Sequence, residues 1–276
     1  MYLSSLLINT GSDPDRPRPG RLWLRNIYQV HQRLCMGFPS AERVKDDPHF
    51  LKPYRPEDFP EDRCRATQNK NEAGEEALKH VHARRDSQSG FLFRIDPQAG
   101  GSPVIVVSSA LQPNWDYAFQ NADMLLAARP LVREYDPAFP KGAELRFRIL
   151  MNLSKKSMEH RRTLDKKDAQ GRSRSQGKRV ALTWREDQQP QEVIVPWFAE
   201  KAAPGGFCIC ECALSRLGWV AGYPPGKKPL KFRWALLEGR LEVTDTARFA
   251  HTLASGIGSA KAFGFGLLTV GPLRRE

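Results

Sequence analysis

The order of strand-like and helix-like runs constrains the fold of this chain more than any other feature of its sequence. The first half is expected to hold strands at 2–8, 91–95, 104–107 and 144–150, and helices at 26–34 and 115–128. In chain order these runs read β-α-β-β-α-β, which is the order of the ferredoxin-like unit.

The second half shows a weaker version of the same order. Strands are expected at 180–182, 207–214, 230–237, 241–243 and 267–270, of which 230–237 and 241–243 are either two strands or one bent strand, and helices at 195–201 and 246–254. We therefore expect an α+β protein of two tandem ferredoxin-like (RRM-like, βαββαβ) domains with polar insertions. The expected N-terminal domain spans 1–153 and the C-terminal domain spans 179–276. A length of 276 residues agrees with two domains.

Two polar segments interrupt this pattern. Residues 41–89 combine charges of both signs with four prolines and are expected to form a surface insertion. Residues 154–178 are expected to form a basic linker or arm, because apolar side chains that could build a core are nearly absent. With Arg179, this segment holds ten basic and three acidic residues, a net charge of +7. A solvated linker and a phosphate-binding arm both fit this composition.

The chain as a whole carries a formal net charge of +12. Such an excess favours a polyanionic partner, with nucleic acid as the first candidate, although charge also serves solubility. No apolar run reaches the ~20 residues that a membrane helix needs, and the N-terminus lacks the pattern of a signal peptide. Five cysteines are an odd number, which favours reduced thiols in a cytoplasmic protein.

Three cysteines alternate along an expected strand as Cys208, Cys210 and Cys212. Alternation places the three thiols on one face of the strand. Zinc sites generally combine two C-x₂₋₄-C pairs, and the sequence offers no second pair. Burial in the core as small hydrophobic side chains is therefore the favoured interpretation.

A glycine-rich stretch at 256–266 follows the last expected helix. Lys261 occupies the position at which a dinucleotide-binding G-x-G-x-x-G motif would need glycine, so that interpretation fails. Backbone N–H groups in such a loop can form a nest for an anion, and Lys261 adds a positive charge. A tight connection between helix and strand is the alternative. The glycines concerned are Gly256, Gly258, Gly264 and Gly266.

The first expected helix, which Asn26 can cap, carries a tyrosine and a histidine on one face. Tyr28 and His31 are three residues apart, and Cys35 continues the same line. A histidine, with a pKa near ~6.5, can accept or donate a proton without a metal. RNA supplies its own nucleophile, the 2′-hydroxyl, so this pair suits RNA cleavage. Packing of both side chains is the structural alternative.

These motifs and their order resemble the CasE family, the CRISPR RNA-processing endoribonucleases of the type I-E Cascade complex within the RAMP superfamily. The N-terminal part of the resemblance lies in 28–34 (YQVHQRL), followed by Phe38 and Pro39. Further matches are 145–148 (LRFR), 177–182 (GKRVAL), 237–243 (LEGRLEV) and 256–272 (GIGSAKAFGFGLLTVGP). The segments 41–89 and 154–176 are longer than the family pattern.

The resemblance implies a metal-independent endoribonuclease that needs no cofactor. It implies cleavage of the CRISPR precursor transcript at the 3′ base of the repeat stem-loop, which leaves 2′,3′-cyclic phosphate and 5′-hydroxyl ends. His31 matches the family's catalytic histidine and Tyr28 matches its active-site tyrosine. The implied partners are the repeat stem-loop, the mature guide RNA and other Cascade subunits, in the cytoplasm and without a membrane.

The resemblance also implies a basic hairpin in the second half, with Pro224-Pro225-Gly226 as its turn. A-form stems are recognised through shape and phosphates, or by a narrow element inserted into the deep groove. The expected RNA-binding residues of this hairpin are Arg216, Lys227, Lys228, Lys231 and Arg233. The other expected RNA-binding residues are Arg146, Arg148, Lys155, Lys156, Lys261 and the four glycines of the glycine-rich stretch.

Two other functions use the same features. A non-catalytic RNA-binding subunit of a ribonucleoprotein complex would leave Tyr28 and His31 as packing residues. A DNA-binding or ribosome-associated basic protein would need no RNA-processing site.

Overall fold

The computed structural model describes residues 1–11, 19–38, 90–97, 101–120, 122–167 and 173–273, with the backbone alone described at 19, 158–167 and 173–178. The expected insertion at 41–89 lies outside the described residues. Among the helices that the structure describes, none is long and apolar enough to span a membrane.

The first half of the chain forms a four-stranded antiparallel sheet. Its strands are β1 (Tyr2–Leu7), β2 (Phe91–Asp96), β3 (Val104–Ser109) and β4 (Leu131–Glu134), in the order β2-β3-β1-β4. The described helices of this half are α1 (Pro19–Leu24), α2 (Ile27–Cys35) and α3 (Trp115–Phe119). A 3₁₀ turn at Asp123–Leu125 replaces the C-terminal part of the helix expected at 115–128.

Helix α2 is amphipathic, and its apolar face builds the core of the first domain. Ile27, Val30 and Leu34 are at most 2% exposed, which confirms the expected helical spacing. Beyond the end of α2, a Cβ on Gly37 would lie 2.7 Å from the ring of Trp115. A larger residue than glycine would therefore separate α2 from α3.

The described residues of the second half hold six strands. They are β5 (Glu144–Asn152), β6 (Ser154–Lys167), β7 (Ser173–Ala181), β8 (Phe207–Gly222), β9 (Leu230–Val243) and β10 (Leu268–Pro272). Four of them form an antiparallel sheet in the order β10-β5-β9-β8, while β6 and β7 pair separately. Helices α4 (Pro190–Ala202) and α5 (Thr246–Ser255) pack on one face of the four-stranded sheet. Both four-stranded sheets thus have the ferredoxin-like strand order, as expected.

Strand β5 belongs to the second sheet, which corrects the boundary expected at residue 153. It pairs with β9 and β10, and its residues Leu145, Phe147 and Ile149 are buried in the second core. The first sheet is instead completed by β4, which pairs with β1. All four residues of β4 are exposed, so this strand has no apolar alternation that would reveal it in the sequence. The two sheets separate between Glu134 and Glu144.

The described parts of the expected linker, 154–167 and 173–178, are strands of a β-hairpin and not an irregular segment. Strands β6 and β7 pair antiparallel with two register shifts. Hydrogen bonds between strands need only backbone groups, which is why a composition poor in apolar residues concealed them. The hairpin continues directly from the second sheet, and Leu182 donates its N–H to the carbonyl of Leu153 at 3.0 Å. The strand expected at 180–182 is therefore the end of this hairpin.

The three alternating cysteines do not share a buried face. Cys208 and Cys210 are exposed, whereas Cys212 is half-buried against the second core. A register shift between Ile209 and Glu211 breaks the alternation of β8 at this point. The expectation of core packing is therefore wrong for Cys208 and Cys210, while burial of Cys212 raises the pKa of its thiol to about 11.

Arg94 on β2 connects the two domains. Its side chain is 3% exposed and donates from Nε and Nη2 to the carboxylate of Asp96 at 2.6 and 2.8 Å. Its Nη1 also donates to the carbonyl oxygens of Arg148 and Leu267, at 2.9 and 3.1 Å. Because these two carbonyls belong to the second domain, one buried ion pair holds β2 against β5 and the approach to β10.

Candidate active site and nucleic-acid interface

His31 lies on α2 in an aromatic setting and is only partly buried. Its imidazole stacks on Phe91 of β2 with 6.1 Å between ring centroids, and it also contacts Phe263 at 5.6 Å. The Sγ atom of Cys35, one turn further along α2, is 3.6 Å from Nε2. These contacts fix the imidazole in place while part of it stays accessible, which a proton-transfer group requires.

Tyr28 lies where the tip of the β8–β9 hairpin meets the start of α2. A Cβ on Gly222 would be 3.2 Å from the Cβ of Tyr28, so the end of β8 touches the helix backbone. Asn26 does not cap α2 with its side chain, and its Oδ1 instead accepts the N–H of Tyr223 at 3.0 Å. Asn26 also forms a parallel bridge with Ala221. The hairpin of the second domain is thereby attached to the helix that carries Tyr28 and His31.

The glycine-rich stretch folds as a tight connection rather than an open nest. Gly256, Gly264 and Gly266 have positive φ angles, and a Cβ on Gly266 would lie 2.2 Å from the carbonyl oxygen of Ile257. The N–H groups of Gly256, Gly264 and Gly266 donate to protein carbonyls, so these three groups do not form an anion nest in this structure. Gly258, by contrast, is exposed.

The short 3₁₀ turn Lys261–Phe263 brings the glycine-rich stretch to the histidine. Phe263 contacts the ring of His31 on one side and the ring of Phe232 of β9, at 5.2 Å, on the other. Lys261 donates from Nζ to the carbonyl of Ser255 at 2.7 Å, and partial burial lowers the pKa of its ammonium group. The loop therefore positions the histidine through Phe263.

Most of the basic residues expected on the hairpin face the solvent. Arg216, Lys227, Lys228 and Lys231 are exposed on β8, on β9 or in the turn between them. Arg233 is half-buried because its guanidinium lies 3.7 Å above the ring centroid of Trp184. The hairpin thus presents a cluster of cations on the strands that reach Tyr28. Lys155 and Lys156 are exposed on β6.

Arg146 and Arg148 are exposed as expected, but their guanidinium groups are engaged. Arg148 binds the carboxylate of Glu238 at 2.5 Å and lies 3.7 Å from that of Asp96. Nε of Arg146 donates to the carbonyl of Pro272 at 3.0 Å. Both residues line a cleft of about 1060 Å³ that Glu211 also lines. Because carboxylates already balance Arg148, this cleft is less suited to phosphates than the hairpin is.

One group of potential metal ligands occurs among the described residues, and it does not include His31. The ligand atoms of Cys208, Cys210 and Glu242 lie within 4.8 Å of one another, on the exposed surface of β8 and β9. Burial, followed by the neighbouring Cys208 thiol and two carboxylates, raises the pKa of Cys210.

Sequence reasoning missed the residues that surround the histidine. Phe91 and Phe263 are distant from His31 along the chain, and periodicity cannot show that their rings meet. The residue type of Asn26 predicts a helix cap, yet its side-chain oxygen accepts the N–H of Tyr223, just beyond the end of β8. Only Cys35 carried a local signal, because residues four apart share a helix face.

Comparison with known proteins identifies relatives over nearly the whole chain. A family model described as CRISPR associated protein matches residues 1–272. The CRISPR-associated endoribonuclease Cse3 of Thermus thermophilus is 30% identical over 205 residues, which cover 69% of this chain and 83% of that protein.

Solved structures share the fold. Cse3 bound to a 19-nt RNA has a TM-score of 0.61 at 24% identity and covers 99% of this chain and 100% of its own. Thermus thermophilus Cse3 bound to an RNA representing a pre-cleavage complex has a TM-score of 0.62 at 24% identity, covering 98% of each chain. Cas6e of Escherichia coli has a TM-score of 0.51 at 19% identity and covers 99% of this chain and 100% of its own.

These likenesses confirm the fold class expected from the order of strands and helices. The family model and the 30% identical relative also confirm the resemblance to the CRISPR RNA-processing family. The chain belongs to the CRISPR associated protein family.

Proposed function

We propose that this chain is a metal-independent endoribonuclease that cleaves CRISPR precursor RNA at the 3′ base of the repeat stem-loop. The observation that carries the proposal is the placement of His31. It is held by Phe91 and Phe263 on the helix that receives the tip of the basic hairpin. The naming of a 30% identical relative as an endoribonuclease supports it.

The chemistry needs only groups that this site supplies or that RNA brings. The 2′-oxygen attacks the adjacent phosphorus and loses its proton to a base, while the bond from phosphorus to the 5′-oxygen breaks. The departing 5′-oxygen takes a proton from an acid, so the products carry a 2′,3′-cyclic phosphate and a 5′-hydroxyl. His31 exchanges protons in this scheme, and Tyr28 lies on the same helix face to orient or protonate the reacting oxygens.

The hairpin holds the RNA stem in this proposal. Arg216, Lys227, Lys228 and Lys231 are exposed and bind phosphates. Lys155 and Lys156 on β6 extend the cationic surface. Arg146 and Arg148 contribute only if phosphate displaces their present partners, and Gly258 and Lys261 are the members of the glycine-rich stretch still open to RNA.

The product remains bound, since cleavage at the base of the stem leaves the hairpin's phosphate contacts intact. The retained guide RNA then joins this chain to other Cascade subunits. That the fold recurs in a CRISPR RNA-guided surveillance complex supports this assembly. The location is cytoplasmic in this proposal, because the precursor transcript is made there.

A non-catalytic RNA-binding subunit is the second candidate. The cationic hairpin and the fold would suit it equally well. It would not explain why two aromatic rings and a thiol hold a partly accessible imidazole beside the hairpin tip.

Cleavage of a repeat stem-loop RNA in the presence of EDTA tests the proposal. Wild-type protein should cleave at an undiminished rate, and His31→Ala should lower the rate roughly 10²- to 10⁴-fold with nearly unchanged RNA affinity. His251→Ala is the matched control, since His251 is exposed on α5 and should leave the rate unchanged. Cleavage by His31→Ala at the wild-type rate would show that the catalytic assignment is wrong.

A single 2′-deoxy substitution at the cleavage site separates the two candidates. An enzyme that uses the 2′-hydroxyl should bind this RNA normally and leave it uncut. If wild-type protein cuts neither this RNA nor the unmodified one, the non-catalytic candidate stands. If EDTA stops cleavage of the unmodified RNA, the metal-independent mechanism is wrong.

A further inference from the structure

Trp219 on β8 is exposed in a way that the other tryptophans are not. All six tryptophans fall within the described residues, and Trp219 is 66% exposed while Trp23, Trp115 and Trp197 are at most 8% exposed. Removing a large aromatic ring from water lowers the free energy, so an exposed tryptophan on a rigid strand indicates a binding surface.

The position of Trp219 along β8 decides which way it faces. Val220 packs against the first core and Gly222 touches α2, so these residues point toward the first domain. Side chains alternate along a strand, and Trp219 therefore lies on the opposite face of the hairpin. Leu217, two residues earlier on that face, is also exposed.

Arg233 is placed over two tryptophan rings and holds a charge beside the exposed one. It pairs with Trp219 across the two strands. Its guanidinium is 3.7 Å from the ring centroid of Trp184 and 5.5 Å from that of Trp219. An aromatic ring next to a fixed cation suits a nucleotide, since the base can stack on the ring and the phosphate can pair with the cation.

The surroundings of Trp219 select nucleic acid over a protein partner. Lys231 shares the face of Trp219, and the turn of the same hairpin exposes Lys227 and Lys228. Protein interfaces are depleted of lysine at their centres, whereas surfaces that bind single-stranded nucleic acid combine aromatic side chains with a cationic groove.

We propose that Trp219, fixed by Arg233, is a stacking platform for an unpaired nucleobase that flanks the RNA stem. This inference rests on the proposed function of the chain. Bases inside a stem are covered on both faces by their neighbours, whereas the unstacked bases of a single-stranded flank are free to stack on a side chain. Trp219 is two residues from Ala221, about 7 Å along the strand from the bridge to Asn26, and faces away from α2. The base it holds is therefore not the one at the cleavage site.

Binding measurements with two matched RNAs test this platform. The first RNA is a repeat stem-loop with single-stranded flanks on both sides. The second has the same flanks built from abasic nucleotides, which keep the phosphates and remove the bases. Affinities are measured by fluorescence anisotropy for Trp219→Ala, Trp219→Phe and Leu131→Ala, all in the His31→Ala background. Leu131 is a control because it is 73% exposed on β4, away from the hairpin.

Trp219→Ala should weaken binding of the base-bearing RNA by roughly tenfold and leave binding of the abasic RNA unchanged. Trp219→Phe should lose less, and Leu131→Ala should lose nothing. Equal losses on both RNAs, or no loss on either, would overturn the platform, and no loss would point to a protein partner. If the wild-type chain binds neither RNA, the proposed function itself fails, which is a different result from binding and cleavage that ignore Trp219.

Discussion

Substitution of Arg94 tests whether the two domains depend on one buried ion pair. Arg94→Ala removes four hydrogen bonds and leaves the carboxylate of Asp96, which is 8% exposed, without its main partner. Arg148 is the remaining cation, at 3.7 Å with a side chain 44% exposed. Removing one member of a buried pair costs about 3–5 kcal/mol. For a chain of this size that free energy corresponds to a fall in Tm of roughly 6–20 °C.

Urea titration followed by circular dichroism measures this loss. Arg240→Ala is the matched control, because Arg240 also forms ion pairs, with Glu211 at 2.6 Å and Glu144 at 3.4 Å, but on the exposed surface. Its midpoint should barely move. Replacing the buried pair by Met and Leu, as Arg94→Met with Asp96→Leu, should restore most of the stability, since no buried charge remains. Equal midpoints for Arg94→Ala and Arg240→Ala would refute the reasoning.

Three further outcomes are expected. Gly266→Ala should lower the free energy of unfolding by about 2–4 kcal/mol, because φ is +82° and the new Cβ would lie 2.2 Å from a carbonyl oxygen. In the same urea titration the control Gly142→Ala, at φ +83° in open space, should cost about 1 kcal/mol. Lys227→Ala and Lys228→Ala should each lower the magnitude of the slope of log K against log salt concentration for RNA binding by about 1. The control Lys201→Ala should leave the slope unchanged. An unchanged slope for Lys227→Ala or Lys228→Ala would show that the substituted lysine does not contact the RNA. Burial acts to raise the pKa of Glu238, but hydrogen bonds from Ser215 and Arg148 outweigh it and lower the pKa below 4.5. The ionised carboxylate therefore stabilises the fold above pH 4.5, and this contribution is lost as the pH falls through the lowered pKa. Glu238→Gln should accordingly lose less stability than wild type between pH 6 and 3.

Local patterns in the sequence were enough to place the candidate catalytic pair. The spacing of Ile27, Val30 and Leu34 predicted the buried face of α2, and that spacing places Tyr28 and His31 together on the neighbouring face. The order of strand and helix runs likewise predicted the ferredoxin-like fold, because alternation and helical periodicity are properties of a few consecutive residues. The resemblance to a CRISPR RNA-processing family depended on the same local motifs.

Pairing between distant strands decided the rest. The sequence within 144–152 does not indicate whether this strand pairs with the first sheet or the second. Strand β4 could not be predicted from apolar alternation, because its four residues are all exposed. The strands β6 and β7 do not show in the sequence for a related reason, since a hairpin is held by backbone hydrogen bonds that do not depend on side-chain polarity.

The surroundings of the histidine were also decided by tertiary structure. The sequence by itself determined that a helix would carry Tyr28 and His31 and that a basic hairpin would follow some 200 residues later. Only the packing of the two domains places Phe263 against the imidazole, hydrogen-bonds the side-chain oxygen of Asn26 to the hairpin, and leaves Trp219 exposed. The reason is that these features depend on residues far apart in the chain, whose relative positions are set by the close packing of both cores.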